Sequence, residues 1–286
     1  MELPFTEIRF QTDDGSTIDE RISNYTKSLS SSVVDYPIEY GRRYHAFRPG
    51  SYILPNDDVE QERLDMAHAM MVKAIGTKLF LAPLEKDKIH QILDIGTGTG
   101  IWAVEMGDVF ESAEVTGVDL SAIQPSCNLN PGGWAEFQEP SAEIYSDDGS
   151  YSEKHSTWHW NRAFLETMKN IGRDPCPGPK LECWVRENGG FENVFHQKFK
   201  NPLGPWPKDP HYKDLGIINL AQMLEGLEGF TLRVFCGILG RTKEEVLVEA
   251  AKVRQEMKSS AYHGVYDVHV VYGQKPLTAE SPQPVQ

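Results

Sequence analysis

Residues 90–100, HQILDIGTGTG, predict a strand, a glycine-rich turn and the start of a helix. Residues 91–95 form a short apolar run, and a helical pattern opens directly after the last glycine. Because glycine has no Cβ, the three alternating glycines let the backbone turn sharply and approach a ligand closely. The first N–H groups of the following helix lack partners within the helix and attract an anionic group. This order of elements predicts a nucleotide-binding site.

The spacing of the glycines separates this motif from the common dinucleotide fingerprint. That fingerprint is G-x-G-x-x-G, whereas Gly96, Gly98 and Gly100 alternate strictly and Asp94 lies two residues before the first of them. The pattern D-x-G-x-G-x-G resembles the first motif of class I S-adenosyl-L-methionine-dependent methyltransferases. A second predicted strand, residues 114–118, ends at Asp119, and an acid at this position commonly holds the ribose hydroxyls. A glycine turn in an unrelated α/β protein is the alternative.

Composition restricts the class of protein. The chain has 286 residues, enough for one large domain or two small ones, and a formal net charge of −14. That charge argues against nucleic acid as a partner, since phosphate binding relies on basic patches. The four cysteines form no C-x-x-C pair, which indicates free thiols in a reducing compartment. Without a secretory signal or a membrane-length apolar run, we expect an intracellular protein, cytoplasmic or nuclear, that has no membrane partner.

Five segments are predicted along the chain, and the nucleotide motif lies in the third. They are a flexible polar arm (1–32), a helical N-terminal segment (33–88), a truncated nucleotide-binding core (89–139), a cap with the C-terminal strands of the same fold (140–276) and a Pro-rich tail (277–286). In the second segment, Asp57 and Glu60 resemble a capping box that starts a helix over 56–75.

The predicted cap alternates helices and strands. Helices are predicted over 156–171, from Asp209 towards Leu224, and after a capping box at Thr242 and Glu245; strands are predicted over 191–200, 230–238 and 268–272; residues 172–179 are predicted as a Pro/Gly turn region.

A family resemblance extends over most of the chain. The blocks GRRYHAFRPGSYILPNDDVEQERLDMAHAM (41–70), ILDIGTGTGIWAVEMGD (92–108), GVDLSAIQPS (117–126), NPGGWAEFQE (130–139) and HVVYGQKP (269–276) resemble the LaeA-like methyltransferases of fungal secondary metabolism. The resemblance implies a class I methyltransferase (Rossmann-like) α/β sheet, S-adenosyl-L-methionine as cofactor, and a role in making or regulating a secondary metabolite. It implies that Asp94 and Asp119, with the glycines between them, face the cofactor, and that residues 43–52 lie over the site.

One departure from the family is large. The predicted strand at 134–138 resembles the fifth strand of the class I sheet, yet it follows Asp119 after only 14 residues. At about 30 residues per βαβ unit, roughly 60 residues are missing. We therefore predict a truncated sheet in which 134–138 lies parallel and directly beside 91–95. Leu93 and Ile95 would then lose the helices that normally cover them, because strands of a parallel sheet are apolar on both faces.

The sequence nominates no catalytic base. His45, Tyr44 and Glu136 are candidates by location only, so the catalytic residues stay unassigned. His155 and His159 have metal-ligand spacing, but no third ligand is evident and we predict no metal site. Trp158 and Trp160 could line an acceptor pocket, although aromatics at helical spacing more often form core.

Three functions are compatible with the sequence. The chain is an active methyltransferase acting on a small-molecule acceptor, a non-catalytic methyltransferase-like protein that binds a regulatory protein partner, or an incomplete gene product. The intact glycine motif and Asp119 favour the first, while the missing strands favour the other two.

Overall fold

A computed structural model describes residues 7–10, 36–45, 52–119, 129–187 and 189–277, with the backbone alone for 7–10. The Pro-rich tail beyond 277 and most of the predicted polar arm lie outside the described residues. In chain order the elements are β1 (Glu7–Phe10), β2 (Ile38–Glu39), β3 (Arg42–Arg43), α1 (Asp58–Ala74), a 3-10 turn (Lys86–Lys88), β4 (Gln91–Ile95), α2 (Ile101–Val109), β5 (Glu114–Val118), β6 (Trp134–Pro140), α3 (Ser156–Asn170), α4 (Gly178–Glu187), β7 (Glu192–Pro202), α5 (Pro210–Leu232), a π-helix (Arg233–Ile238), α6 (Lys243–Ser259) and β8 (Val265–Gln274).

The first sheet has the order β1-β5-β4 and contains the predicted glycine motif. Strands β4 and β5 are parallel and are joined through α2, which confirms the predicted strand–turn–helix–strand unit. Strand β1 pairs antiparallel with β5, so four residues of the predicted flexible arm belong to the sheet. The class of the fold, mixed α/β, agrees with the sequence analysis.

The second sheet has the order β6-β8-β7 and is antiparallel throughout. Residues 134–138 do form a strand, but the prediction that this strand lies parallel and beside 91–95 is wrong. Strand β6 instead pairs with β8, which is central and carries the fully buried Val268, Val270 and Val271. The described residues therefore form two three-stranded sheets and the short β2-β3 pair in place of one truncated sheet.

The loop of residues 79–82 connects α2 and β6 through hydrogen bonds. Trp102 Nε1 of α2 and Gln138 Nε2 of β6 both donate to the carbonyl oxygen of Leu79, at 2.9 and 3.0 Å. Glu136 accepts from the backbone N–H groups of Leu81 and Ala82 at 2.8 and 2.6 Å. Side chains of β6 thus reach the glycine-motif unit through this loop, while the β6 backbone bonds to β8.

The predicted strand at 230–238 is wrong, because α5 runs on to Leu232 and continues as the π-helix. A short apolar run is consistent with a buried helix as well as with a strand. Here Leu232, Val234 and Phe235 pack into the largest core together with Trp160 of α3. Burying each such side chain stabilises the fold by about 1.5–3 kcal/mol.

Most of the remaining local predictions are confirmed. Asp57 caps α1 and accepts from the Glu60 N–H, and Thr242 and Glu245 form a complete capping box at α6. The predicted helix at 156–171 and the strands at 191–200 and 268–272 are present within a few residues. Helix α4 is missing from the sequence analysis, because its first turn overlaps the predicted turn region.

Candidate functional site

The glycine loop is anchored to the end of β5. The N–H groups of Gly96 and Thr97 donate to the carbonyl oxygen of Val118, at 2.7 and 3.1 Å. Gly96, Gly98 and Gly100 have φ values of 81°, 52° and 82°, in the left-handed region that glycine enters without a Cβ penalty. The alternating glycines are therefore required by the shape of the turn.

The loop and Asp119 are in direct contact. The Gly98 N–H donates to Asp119 Oδ2 at 2.8 Å, although the two residues are 21 positions apart. The contact brings the glycine amides and the acid together at the carboxyl ends of two parallel strands, where open α/β sheets bind their ligands.

Asp94, the acid before the glycines, is half-buried, and its Oδ2 atom has no hydrogen-bond partner among the described residues. Burial raises the pKa of this carboxyl group, and the negative charge of Asp119 raises it further. An unpaired buried oxygen is a costly feature. Gly117 of β5 is a site residue that the sequence analysis missed, since a Cβ there would lie 2.8 Å from the Thr97 hydroxyl.

Helix α1 forms one wall of the loop, which no spacing in the sequence signals. Thr99 Oγ1 donates to Asp65 Oδ1 at 2.7 Å, and Leu64 Cδ1 lies 3.5 Å from the position of a Cβ on Gly98. One turn further along, His68 Nε2 lies 2.8 Å from Glu105 Oε2 of α2. Helix α1 thus contacts both the loop and the helix that the loop begins.

The described ends of the predicted covering segment, His45 and Tyr52, lie near Asp119. Their rings meet edge to face with centroids 5.3 Å apart. Burial lowers the pKa of His45, and the charge of Asp119 counteracts that shift. Burial raises the pKa of Tyr52 to about 12, with the charges of Glu60 and Asp119 among the further causes. Residues 46–51 lie outside the described residues.

Tyr44 and Glu136, the other two candidates for a catalytic base, contact other parts of the fold. Tyr44 is fully buried beneath the guanidinium of Arg233, and burial raises its pKa to about 12. Glu136 binds the 79–82 loop. Among the described residues, neither side chain contacts the glycine loop, and of the three candidates only His45 is influenced by the charge of Asp119.

The aromatic and histidine pairs of the cap belong to its core and surface. Trp160 is buried and donates to the Thr231 hydroxyl, whereas Trp158 is partly buried against the same core. His155 stacks on Tyr151. No group of three or more His, Cys, Asp or Glu residues in the described parts of the chain is placed to hold a metal ion.

An open cavity of about 770 Å³ lies between the start of α3 and α6. Its lining mixes both charges, including Arg241, Lys252 and Glu244, and contains no residue of the glycine loop. Among the described helices, none combines the length and apolar character that crossing a bilayer requires.

No protein-family model matches the chain. Individual relatives do. Methyltransferase pytC of Aspergillus terreus is 38% identical over 296 aligned positions, which cover 87% of this chain and 91% of pytC. Probable methyltransferase tdiE of Emericella nidulans is 30% identical, covering 78% of this chain and 84% of tdiE. Protein-methionine methyltransferase laeA of the same fungus is 29% identical, covering 84% and 76% of the two chains.

The alignment with pytC is longer than this whole chain of 286 residues, although it covers only 87% of it. Several dozen positions of the alignment therefore have no residue of this chain. Identity of this level over nearly the whole of both proteins, with the glycine motif and its acid in contact, places the chain in the LaeA-like family of fungal methyltransferases of secondary metabolism.

Proposed function

We propose that this protein is an S-adenosyl-L-methionine-dependent methyltransferase that modifies a small-molecule acceptor in fungal secondary metabolism. The observation that carries the proposal is the contact between Gly98 and Asp119. It joins the two parts of a nucleoside site, an amide-lined turn and a ribose-binding acid. The methyltransferase names of the relatives support the same chemistry.

The residues of the loop fit such a cofactor. A Cβ at Gly96 or Gly100 would meet nothing within 4 Å, so there is open space beside the turn. Asp119 would hold the ribose hydroxyls, the glycine loop would face the amino-acid end, and the unpaired Asp94 oxygen would accept from a donor on that end. When bound, the cofactor supplies an activated methyl group, so the chain's own contribution is positioning and exclusion of water.

In this proposal β4, α2, β5 and β6 belong to the truncated core of a class I fold (89–139), and β7 and β8, which pair with β6, belong to the cap and C-terminal strands of the same fold (140–276). His45 is, with Tyr52, one of two titratable side chains of the described covering segment whose pKa responds to the charge of Asp119. We assign it no catalytic role, since methyl transfer to a reactive acceptor needs no base. The compartment, cytoplasmic or nuclear, is part of the proposal.

A specific observation supports a second candidate, a non-catalytic protein that binds a regulatory partner. Leu93 and Ile95 of β4 are 43% and 40% exposed, as predicted for strands that have lost their covering helices. Relatives named secondary metabolism regulator laeA, such as that of Monascus pilosus at 29% identity, support the regulatory part of this candidate. An incomplete gene product would show the same exposure of Leu93 and Ile95, but it would bind neither S-adenosyl-L-methionine nor a protein partner.

Calorimetric titration with S-adenosyl-L-methionine separates these functions. We expect the wild-type chain to bind and Gly98→Asp to lose binding, because a second carboxylate beside Asp119 would repel the anionic end of the cofactor. Gly172→Asp is the control, since Gly172 also has a left-handed φ, of 77°, but lies at the end of α3. Equal binding by both variants would contradict the proposed site, and a wild-type chain without binding would favour the non-catalytic candidate.

A further inference from the structure

Arg233 occupies an unusual position in the backbone. It is the first residue of the π-helix that continues the 23-residue helix α5. π-helical turns are rare and occur frequently at functional sites. The neighbouring part of α5 approaches the N-terminal segment closely, because a Cβ at Gly229 would lie 3.3 Å from Pro55 and 3.4 Å from Arg42 Nη1.

The guanidinium of Arg233 contacts three separate points of the N-terminal segment. Its Cζ lies 4.4 Å from the centroid of the Tyr44 ring, Nη1 donates to the Tyr52 carbonyl oxygen at 3.0 Å, and Nη2 donates to Glu39 Oε1 at 3.3 Å. The side chain is only 15% exposed. A planar guanidinium can satisfy a ring face and two acceptors at once, which an ammonium cannot do in the same geometry.

These contacts lie on both sides of His45. Tyr44 precedes it in the chain, and the Tyr52 ring packs against it edge to face. Other anchors hold the start of the segment: Lys243 Nζ donates to the Tyr40 carbonyl oxygen at 2.8 Å, and Arg42 pairs with Asp57 at 2.6 Å. Arg233 contacts the N-terminal segment on both sides of His45, at Tyr44 and at Tyr52.

We propose that Arg233 is a positioning residue for the cofactor site, which it serves from the C-terminal half of the chain by holding His45 and Tyr52 beside Asp119. The inference rests on the proposed function and extends it to a residue far from the glycine motif. Arg233 does not contact the cofactor itself in this proposal, because a sulfonium carries a positive charge and would be repelled. Its own charge is balanced by Glu39 and the Tyr44 ring.

The test compares Arg233→Met and Arg233→Lys with Arg241→Met. Arg241 is a matched control, because its guanidinium also covers an aromatic ring (Phe235, 5.3 Å) and also pairs with a glutamate (Glu249, 2.6 Å), yet within the described residues its side chain makes no contact with the N-terminal segment. Two readouts are needed. Calorimetry gives the affinity for S-adenosyl-L-methionine, and hydrogen exchange reports residues 37–57, where the N–H groups of Tyr44 and Asn56 are bonded to backbone oxygens.

We expect Arg233→Met to accelerate exchange in residues 37–57 and to weaken cofactor binding by at least about 10-fold, equivalent to about 1.4 kcal/mol. Arg233→Lys should give intermediate values, because lysine keeps the positive charge but lacks the planar guanidinium with its two donors. Arg241→Met should match wild type in both hydrogen exchange and cofactor affinity. If Arg233→Met does not fold, Arg233→Lys decides by the same two measurements.

If Arg233→Met leaves hydrogen exchange in residues 37–57 unchanged, the inference is wrong whatever the affinity for the cofactor. Faster exchange with wild-type affinity would also overturn it, since Arg233 would then be an anchor with no influence on the site. If the wild-type chain itself binds no cofactor, the proposed function fails and the positioning role fails with it. Wild-type binding that survives in Arg233→Met removes the positioning role alone.

Discussion

In the β6-β8-β7 sheet the central strand is paired along both edges, whereas β4 in the other sheet pairs, among the described residues, along one edge with β5. Val268 and Val270 of β8 are fully buried, while Leu93 and Ile95 of β4 are 43% and 40% exposed. The proposed cofactor site lies on the thinly covered sheet, and the packed sheet supports the cap. The proposed site therefore lies beside the more exposed of the two strands, and the fully buried strand lies in the other sheet.

The largest expected difference comes from placing a charge in each sheet. Val270→Asp buries a carboxylate without a partner and should destabilise the fold by more than about 4 kcal/mol, or prevent folding. Leu93→Asp exposes its carboxylate at the edge of β4 and should change the free energy of unfolding by less than about 1 kcal/mol. Urea unfolding followed by circular dichroism measures both. Equal losses would show that the two sheets are equally packed in solution.

The proposed site on the β1-β5-β4 sheet should also bind the cofactor weakly. An adenine that lacks the loops of a complete sheet loses two or three hydrogen bonds at about 1 kcal/mol each, which gives roughly 10- to 100-fold weaker binding. Parallel titration of this chain and pytC, whose alignment contains positions absent here, measures the difference. A sub-micromolar dissociation constant for this chain would contradict the expectation.

The packed sheet should respond to acid through His269. His269 is buried in β8, with Nδ1 2.9 Å from His196 Nε2, and His196 in turn contacts Glu182 of α4. Burial lowers the pKa of His269, the charge of His196 lowers it further, Asp267 opposes the shift and Lys198 favours it. The unfolded chain therefore takes up a proton near its ordinary pKa of 6.5 while the folded chain resists it.

Stability should accordingly fall as pH drops below about 6.5, and His269→Gln should remove part of that dependence. The measurement is the urea midpoint at about pH 8 and about pH 5.5 for each chain. His263→Gln is the control, because His263 is exposed beside Asp148. A wild-type pH dependence in His269→Gln would assign the acid sensitivity to other groups.

The glycine turn, its flanking strands and the helix caps could be predicted because each depends on neighbouring residues. Gly96, Gly98 and Gly100 adopt the left-handed φ values that their spacing suggested, and Thr242 and Glu245 close their capping box. The walls of the site could not be predicted. Asp65 meets Thr99 only because α1 packs across the loop, and nothing in the spacing of these residues links them.

The pattern of apolar residues also failed to predict which face of α1 is buried, because that face carries charged side chains. Glu60 and Arg63 of α1 are 1% and 8% exposed in their side chains and pair at 2.8 Å, with Arg63 also donating to Gln222 of α5. In a sequence, a charged pair at these positions predicts a solvent-exposed face of the helix. Here the pair is buried and faces α5. Residues 233–238 likewise form a π-helix in place of the predicted strand, with Val234 and Phe235 buried in the largest core.

The sequence by itself determined the strand, turn and helix of residues 91–109, the acid that meets them, and the family resemblance. Those depend on Cβ sterics, capping and hydrophobic period, which act over a few residues. The tertiary structure alone decided that β6 pairs with β8 and that Arg233 grips the N-terminal segment. A strand has the same period of two whichever partner it takes, so its partner depends on which buried surfaces the whole chain brings together.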